Sequence, residues 1–228
     1  MKKWLPEYFI FWKPRDIVSG DFYWINKVDN KVIVIAADCT GHGVPGAFMS
    51  MLGVSFLNEI TANKNNIHAD IILNRLREYV ISTLSQGGEE GAKDGMDMSI
   101  MIFDFEKNLA EFAGAFNDLF MIRNGELSEI KADRMPVGVY LKELESFNKK
   151  EIKLQKGDMF YLLSDGFPDQ FGGEKGKKFM IKPFKRMLLE MHQKTMEEQK
   201  ATLKTTLNKW MEGSYKQTDD IIIIGVRV

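Results

Sequence analysis

The stretch Asp38-Cys39-Thr40-Gly41-His42-Gly43-Val44-Pro45-Gly46-Ala47 constrains this chain more than any other. An apolar β-forming run, Val32 to Ala37, ends in a carboxylate; a glycine-rich turn follows, and an apolar-periodic helix opens at Pro45. One Asp is thus presented at the tip of a buried strand. An unpartnered carboxylate is costly there, and a hard cation needs such an oxygen ligand. Proline in the first helical turn, with glycine before it, is the expected punctuation. The helix continues to about Asn63, with Phe48, Leu52, Phe56 and Ile60 spaced as one buried face. No Gly-Lys-Ser/Thr follows the glycines, so this is not a phosphate-cradling P-loop, and the dinucleotide fingerprint is absent too. Alone, an Asp among glycines reads as readily as a turn.

Other acidic positions share the context. Asp21 precedes the aromatic segment Phe22-Tyr23-Trp24; Asp165 follows Met159 to Leu163 and Ser164; Asp219 and Asp220 come immediately before Ile221 to Ile224. Each lies at the end of a strand too apolar to sit at an exposed edge. Convergence on one cation site explains four such ends better than four unrelated turns. The oxygen-only ligand set favours magnesium or manganese over zinc.

In their order, Gly20-Asp21-Phe22, the Ala37 to Ala47 block, Ser164-Asp165-Gly166 and Thr218-Asp219-Asp220-Ile221 resemble the bacterial SpoIIE/RsbU-like branch of the metal-dependent PPM (type-2C) serine/threonine protein phosphatases. The resemblance runs from about Pro14 to Val228. It takes in Asp94-Gly95-Met96-Asp97, Arg123-Asn124-Gly125-Glu126 and Arg134-Met135-Pro136-Val137-Gly138. It implies an α+β fold, a four-layer α-β-β-α sandwich of two antiparallel sheets flanked by helix pairs, with metals at one end. It also implies hydrolysis of phosphoserine or phosphothreonine in a protein by two Mn2+ or Mg2+ ions about 3.5–4 Å apart that activate a water. Asp38 would bridge the ions, the Cys39 carbonyl would complete one shell, Asp165 and Asp219 would hold the other ion, and Asp21 would ligate directly or through a water. Ile221 to Ile224 give no alternation to choose between Asp219 and Asp220; the resemblance favours Asp219. The implied substrate is a phosphorylated anti-anti-sigma-type regulator. The implied context is a single domain over residues 1–228, the C-terminal output domain of a longer signalling protein. Phe116 departs from the pattern, standing where such proteins often carry a small or polar residue beside Asn117.

Lys and Arg total 31 against 32 Asp and Glu, a net charge of −1, so nothing favours nucleic acid. A single Cys excludes a disulfide framework and a cysteine-based zinc site. No apolar run approaches the ~20 residues that cross a bilayer, and Met1 to Pro6 lacks the apolar core of a signal peptide. A cytoplasmic domain with no direct membrane insertion is expected, whether or not the whole protein carries an anchored sensor; a homodimer stays open. Lys13 and Arg15 are candidates for a phosphate cradle, weighed equally against solvated strand-start charges. His42 reads as ordering the metal loop; His68 and His192 read as solvated. The rival classes are a catalytically degenerate partner-binding module of the same fold and a nucleotide hydrolase with similar carboxylates.

Strands are expected at Tyr8 to Trp12, Phe22 to Val28, Lys31 to Ala37, Met96 to Phe103, Leu109 to Ala115, Leu119 to Arg123, Glu126 to Ile130 and Ile221 to Val228. Glu151 to Gln155 and Asp158 to Leu163 read as a hairpin around Lys156-Gly157. Asp70 caps an expected second helix, with Ile72, Leu76, Val80 and Leu84 on one face, and Gln86 to Gly95 reads as a loop. Two more helices are expected at Ile181 to Gln193 and Met196 to Met211, the latter opened by a Thr195…Glu198 capping box.

Overall fold

A computed structural model of the chain describes residues 4–64, 66–85, 94–140, 146–213 and 215–228. In order, the elements are β1 (Glu7–Lys13), β2 (Phe22–Val28), β3 (Lys31–Cys39), α1 (Gly43–Ala62), α2 (Ala69–Ser85), β4 (Gly95–Asp104), β5 (Leu109–Ala115), β6 (Leu119–Arg123), β7 (Glu126–Ile130), β8 (Val137–Gly138), β9 (Lys150–Lys153), β10 (Met159–Leu163), β11 (Phe171–Gly172), β12 (Lys177–Lys178), α3 (Ile181–Met191), α4 (Met196–Trp210) and β13 (Ile221–Arg227). Two large antiparallel sheets result, with β11 and β12 forming a separate antiparallel pair. One runs β2-β3-β4-β5-β9 with β8 on β4; the other runs β1-β13-β10-β6-β7.

Strand alternation makes the layers. On β3, Ile33, Ile35, Ala37 and Cys39 pack beneath α1 and α2, while Val32, Val34 and Ala36 face the second sheet. On β13, Ile222 and Ile224 meet that central layer, and Ile221 and Ile223 lie under α3 and α4. The Ile221 to Ile224 run is apolar on both faces because both faces are buried. The expected α-β-β-α sandwich is the observed one.

Several expectations need correction. β9 and β10 do not pair: β9 adds to β5, whereas β10 sits between β6 and β13 in the other sheet. The Lys156-Gly157 turn carries the chain from one sheet to the next. α1 buries Gly46, Met49, Gly53, Leu57 and Ile60; of the expected row only Ile60 is fully buried, Leu52 and Phe56 are half-buried against the same core, and Phe48 is 64% exposed, with Val44 and Met51 also exposed. Asp70 lies inside the first turn of α2 rather than capping it, and its buried Oδ1 has no partner. The Glu111 carboxylate accepts from the Ala69 amide instead. His68 is half-buried rather than fully solvated, and its Nδ1 stands 2.6 Å from Glu111 Oε1. His192 is likewise engaged, Nδ1 lying 2.6 Å from the Leu189 carbonyl oxygen. Of the loop expected at Gln86 to Gly95, residues 86–93 lie outside the described residues, and Gly95 opens β4. The Thr195…Glu198 capping box is present as expected.

Candidate metal centre

Both sheets deliver carboxylates to one end of the sandwich. Asp38 occupies the penultimate position of β3, Asp165 follows β10 by two residues, and Asp219 precedes β13 by two. All three line a single pocket of about 210 Å³, together with Cys39, His42 and Asp97. Asp97 is the addition. It lies directly opposite Asp38 in the β3–β4 register, and like charges facing each other across a ladder are destabilising unless something between them compensates. Asp21 stands at the back, 2% exposed, its Oδ2 accepting from the Ser164 hydroxyl at 2.5 Å. Ser164 Oγ in turn accepts from the Ile222 amide, so Asp21 is tied to both β10 and β13.

Close backbone approach sets the loop geometry. A Cβ at Gly46 would come within 2.2 Å of the Gly41 carbonyl oxygen, so only glycine lets α1 start against the turn that follows Asp38. A Cβ at Gly166 would meet the Asp220 carbonyl at 1.9 Å, which packs the Asp165 turn directly onto the start of β13.

Asp220 does not line the pocket. Its Oδ1 accepts from the Arg15 amide at 2.7 Å and its Oδ2 from the Gly20 amide at 2.8 Å, which staples the β1–β2 connection to β13. Arg15 and Lys13 are not among the pocket-lining residues: the Arg15 guanidinium donates to the Thr218 carbonyl, and Lys13 Nζ donates to Gln217. Asp16 reaches His42, with 3.3 Å between Oδ2 and Nδ1. That contact matches the loop-ordering part expected of His42, and it adds Asp16 as a residue the sequence did not single out.

The electrostatics are those of crowded acids. Burial, the Asp220 and Asp219 carboxylates push Asp21 up to about 7, against hydrogen bonds from Ser164 and Asp38. Burial and Asp165 push Asp97 up to about 7. Asp38 rises well above the carboxylate range, by burial first and then by Asp21, Asp165, Asp219 and Asp97. Asp165 is raised by burial, Asp169 and Asp219, with Lys178 opposing. Burial, then Asp38, pushes the Cys39 thiol up, so at neutral pH it is no thiolate nucleophile.

Among the described residues, no three such side chains stand close enough to grip an ion as they are. The donor set nonetheless fits divalent cations: oxygen ligands from two sheets, and charge that burial leaves uncompensated. That chemistry matches manganese or magnesium.

A sign follows for stability. Asp21 and Asp97 hold protons in the fold that the unfolded chain has released, between 3.8, the ordinary value, and about 7. Across that window the native state binds more protons, so stability in chelator is expected to fall as pH rises. A divalent cation takes the place of those protons. Tm from scanning fluorimetry should therefore drop between pH 5 and pH 8 in chelator, and added Mn2+ should raise it far more at pH 8. A manganese shift of equal size at both pH values would contradict this account.

The fold and the site together define a PP2C-type phosphatase domain. The chain matches the Stage II sporulation protein E (SpoIIE) family over residues 28–228, and it belongs to that family. The SiaA-PP2C domain of Pseudomonas aeruginosa is similar at 33% identity and TM-score 0.86, over 97% of this chain and 85% of that one. The PP2C phosphatase domain of SpoIIE from Bacillus subtilis, with a fragment of its regulatory domain, gives 18% identity and TM-score 0.78, over 97% of this chain and 63% of that one. The catalytic domain of the serine/threonine phosphatase PstP, in complex with two manganese ions, gives 14% identity and TM-score 0.67, with 97% of each chain covered. The last two likenesses bear on the fold alone. No curated protein sequence matches the chain. No helix of the described residues is long and apolar enough to cross a membrane.

Proposed function

We propose that this chain hydrolyses phosphoserine or phosphothreonine in a protein, in a reaction dependent on Mn2+ or Mg2+. The supporting observation is the single pocket in which Asp38, Asp97, Asp165 and Asp219 meet from both sheets. Asp38 would be the ligand shared by two ions, with the Cys39 carbonyl, Asp97, Asp165 and Asp219 completing the shells and Asp21 ligating directly or through a water. When bound, such ions acidify the attacking water and neutralise phosphate charge. The chain's own part is orientation. Ser164 donates to Asp21 and keeps that carboxylate aimed as an acceptor, and Asp16 fixes the ring of His42 at the pocket wall. Cys39, protonated and buried, contributes no covalent nucleophile. Lys13 and Arg15 have no part in this scheme.

PstP is described with manganese and RsbX with magnesium, which supports the choice of ions. SpoIIE is described with a regulatory domain. That description suits an output-domain role for residues 1–228 within a longer signalling protein, and from the family resemblance of the sequence we propose a phosphorylated anti-anti-sigma-type regulator as substrate. The test is turnover of p-nitrophenyl phosphate, phosphoserine and phosphothreonine peptides, and nucleotides, with Mn2+ or Mg2+ and with excess chelator. Turnover of the phosphopeptides only with added metal is expected. Full activity in chelator would refute the metal mechanism, preference for nucleotides would favour the hydrolase reading, and no turnover of any substrate would favour the binding module.

A further inference from the structure

A second cavity, of about 400 Å³, opens on the other side of Asp165 from the metal pocket, and Asp165 lines both. Phe120 of β6 and Leu163 of β10, each nearly buried, lie beside Pro168 and the half-exposed Ile181 at the start of α3 to give it an apolar floor. Its charged rim carries four carboxylates, Asp118, Glu129, Asp165 and Asp169, against two lysines, and is only partly paired from within. Lys131 lies 2.9 Å from Asp118 and 2.7 Å from Glu129, and Lys185 pairs with Glu129 while sitting over the Phe120 ring. The remaining acidic excess disfavours an anionic side chain there.

The wall nearest the first sheet is Asn117, in the turn where the chain steps from β5 to β6. That turn is tightly held. The Phe116 amide donates to the Asp133 carbonyl at 2.9 Å, the Phe116 carbonyl accepts from Arg134 at 2.9 Å, and the Asn117 amide donates to the Ala115 carbonyl at 2.7 Å. Phe116 pays for its place with φ 57°, a left-handed conformation that a bulky residue adopts only where the surroundings enforce it. The Asn117 side-chain nitrogen is buried and has no hydrogen-bond partner. Buried polar groups are nearly always paired, and this nitrogen lies behind the wall rather than open to the cavity.

We propose that this cavity is the subsite for the peptide flanking the phosphorylated residue: with the phosphate in the metal pocket, the substrate chain passes Asp165 and lays an apolar side chain on Phe120, Leu163 and Ile181. This deepens the phosphatase reading and rests on it. An extended chain advances about 3.3 Å per residue, so the subsite engages the two or three residues nearest the phosphoserine on one side. It selects a leucine or phenylalanine there over an aspartate or lysine.

The test is kcat/KM on phosphoserine peptides in which leucine, aspartate or lysine is scanned through the three positions on either side, with p-nitrophenyl phosphate as the reference without flanks. Leucine at one or two adjacent positions on one side is expected to raise kcat/KM about tenfold or more over both aspartate and lysine at the same position. Ile181→Asp should collapse that preference in the ratio of peptide to p-nitrophenyl phosphate rates, and Ile181→Leu should keep it. Equal rates for all flanks in the wild-type protein, with p-nitrophenyl phosphate still turned over, overturn the subsite and leave the phosphatase reading standing. No turnover of any phosphomonoester in Mn2+ or Mg2+ overturns both. The wild-type scan needs no variant to fold.

Discussion

Asp38→Asn is expected to reduce phosphatase turnover by about 10³-fold or more, because a shared metal ligand supports several kcal/mol of charge stabilisation in the transition state. The same substitution should have the opposite sign on the metal-free fold. Asp38 is buried, faces Asp97 across the ladder and is repelled by Asp21, Asp165 and Asp219. Asparagine keeps the shape and an acceptor oxygen but removes the charge, relieving each of those repulsions. In chelator at pH 8 the variant should therefore melt above the wild-type protein, while its Tm should respond little to Mn2+. Turnover and Tm measured side by side across a manganese titration separate a lost ligand from a damaged fold. A variant with near wild-type turnover at saturating manganese would remove Asp38 from the centre of the site.

How much of this was legible in the chain depended on whether a residue's neighbours in sequence are also its neighbours in space. Asp38 and Asp165 each flank a continuous apolar run, so the strand end that presents them could be read directly; at Ile221 the run marked the place but not the residue, and the resemblance favoured Asp219; the pocket collects all three. Asp97 could not be read that way. It is the third residue of β4, and only the β3–β4 register places it opposite Asp38; its one signal was the Asp94-Gly95-Met96-Asp97 segment within the family resemblance. The phase of α1 was hidden for another reason. That helix carries apolar residues on several sides, so the four-residue period was right, yet Phe48 and Met49 competed for the buried row. Gly53 decided it by letting the helix approach Phe22, whose ring a Cβ there would meet at 2.9 Å. The Lys156-Gly157 turn has hairpin chemistry, but whether the next strand folds back or crosses to another sheet is settled by tertiary pairing, chiefly that of β10 with β13.

Asp219→Asn and Asp220→Asn should fail in different ways, and their comparison tests the assignment of the ligand. Asp219 lines the pocket, and its Oδ1 accepts from the Asp220 amide at 2.8 Å. Asparagine retains that acceptor, so the fold should hold while one charge toward the cation is lost. The manganese needed for half-maximal activity should rise by well over about tenfold. Asp220 is 2% exposed and offers its two oxygens to two separate backbone amides, Arg15 and Gly20. One amide oxygen cannot take the place of both, and the new NH₂ would face a donor. Leaving one buried N–H unpaired costs about 1–3 kcal/mol. Asp220→Asn should accordingly lower Tm and loosen the β1–β2 connection that carries Asp16 to His42. The manganese requirement of its folded fraction should stay near that of the wild-type protein. The close approach of Gly166 to the Asp220 carbonyl sharpens the distinction, because it packs the backbone at the start of β13 against the Asp165 turn whichever side chain Asp220 is replaced by. A raised manganese requirement in Asp220→Asn with an unchanged Tm, and the converse in Asp219→Asn, would move the ligand to Asp220.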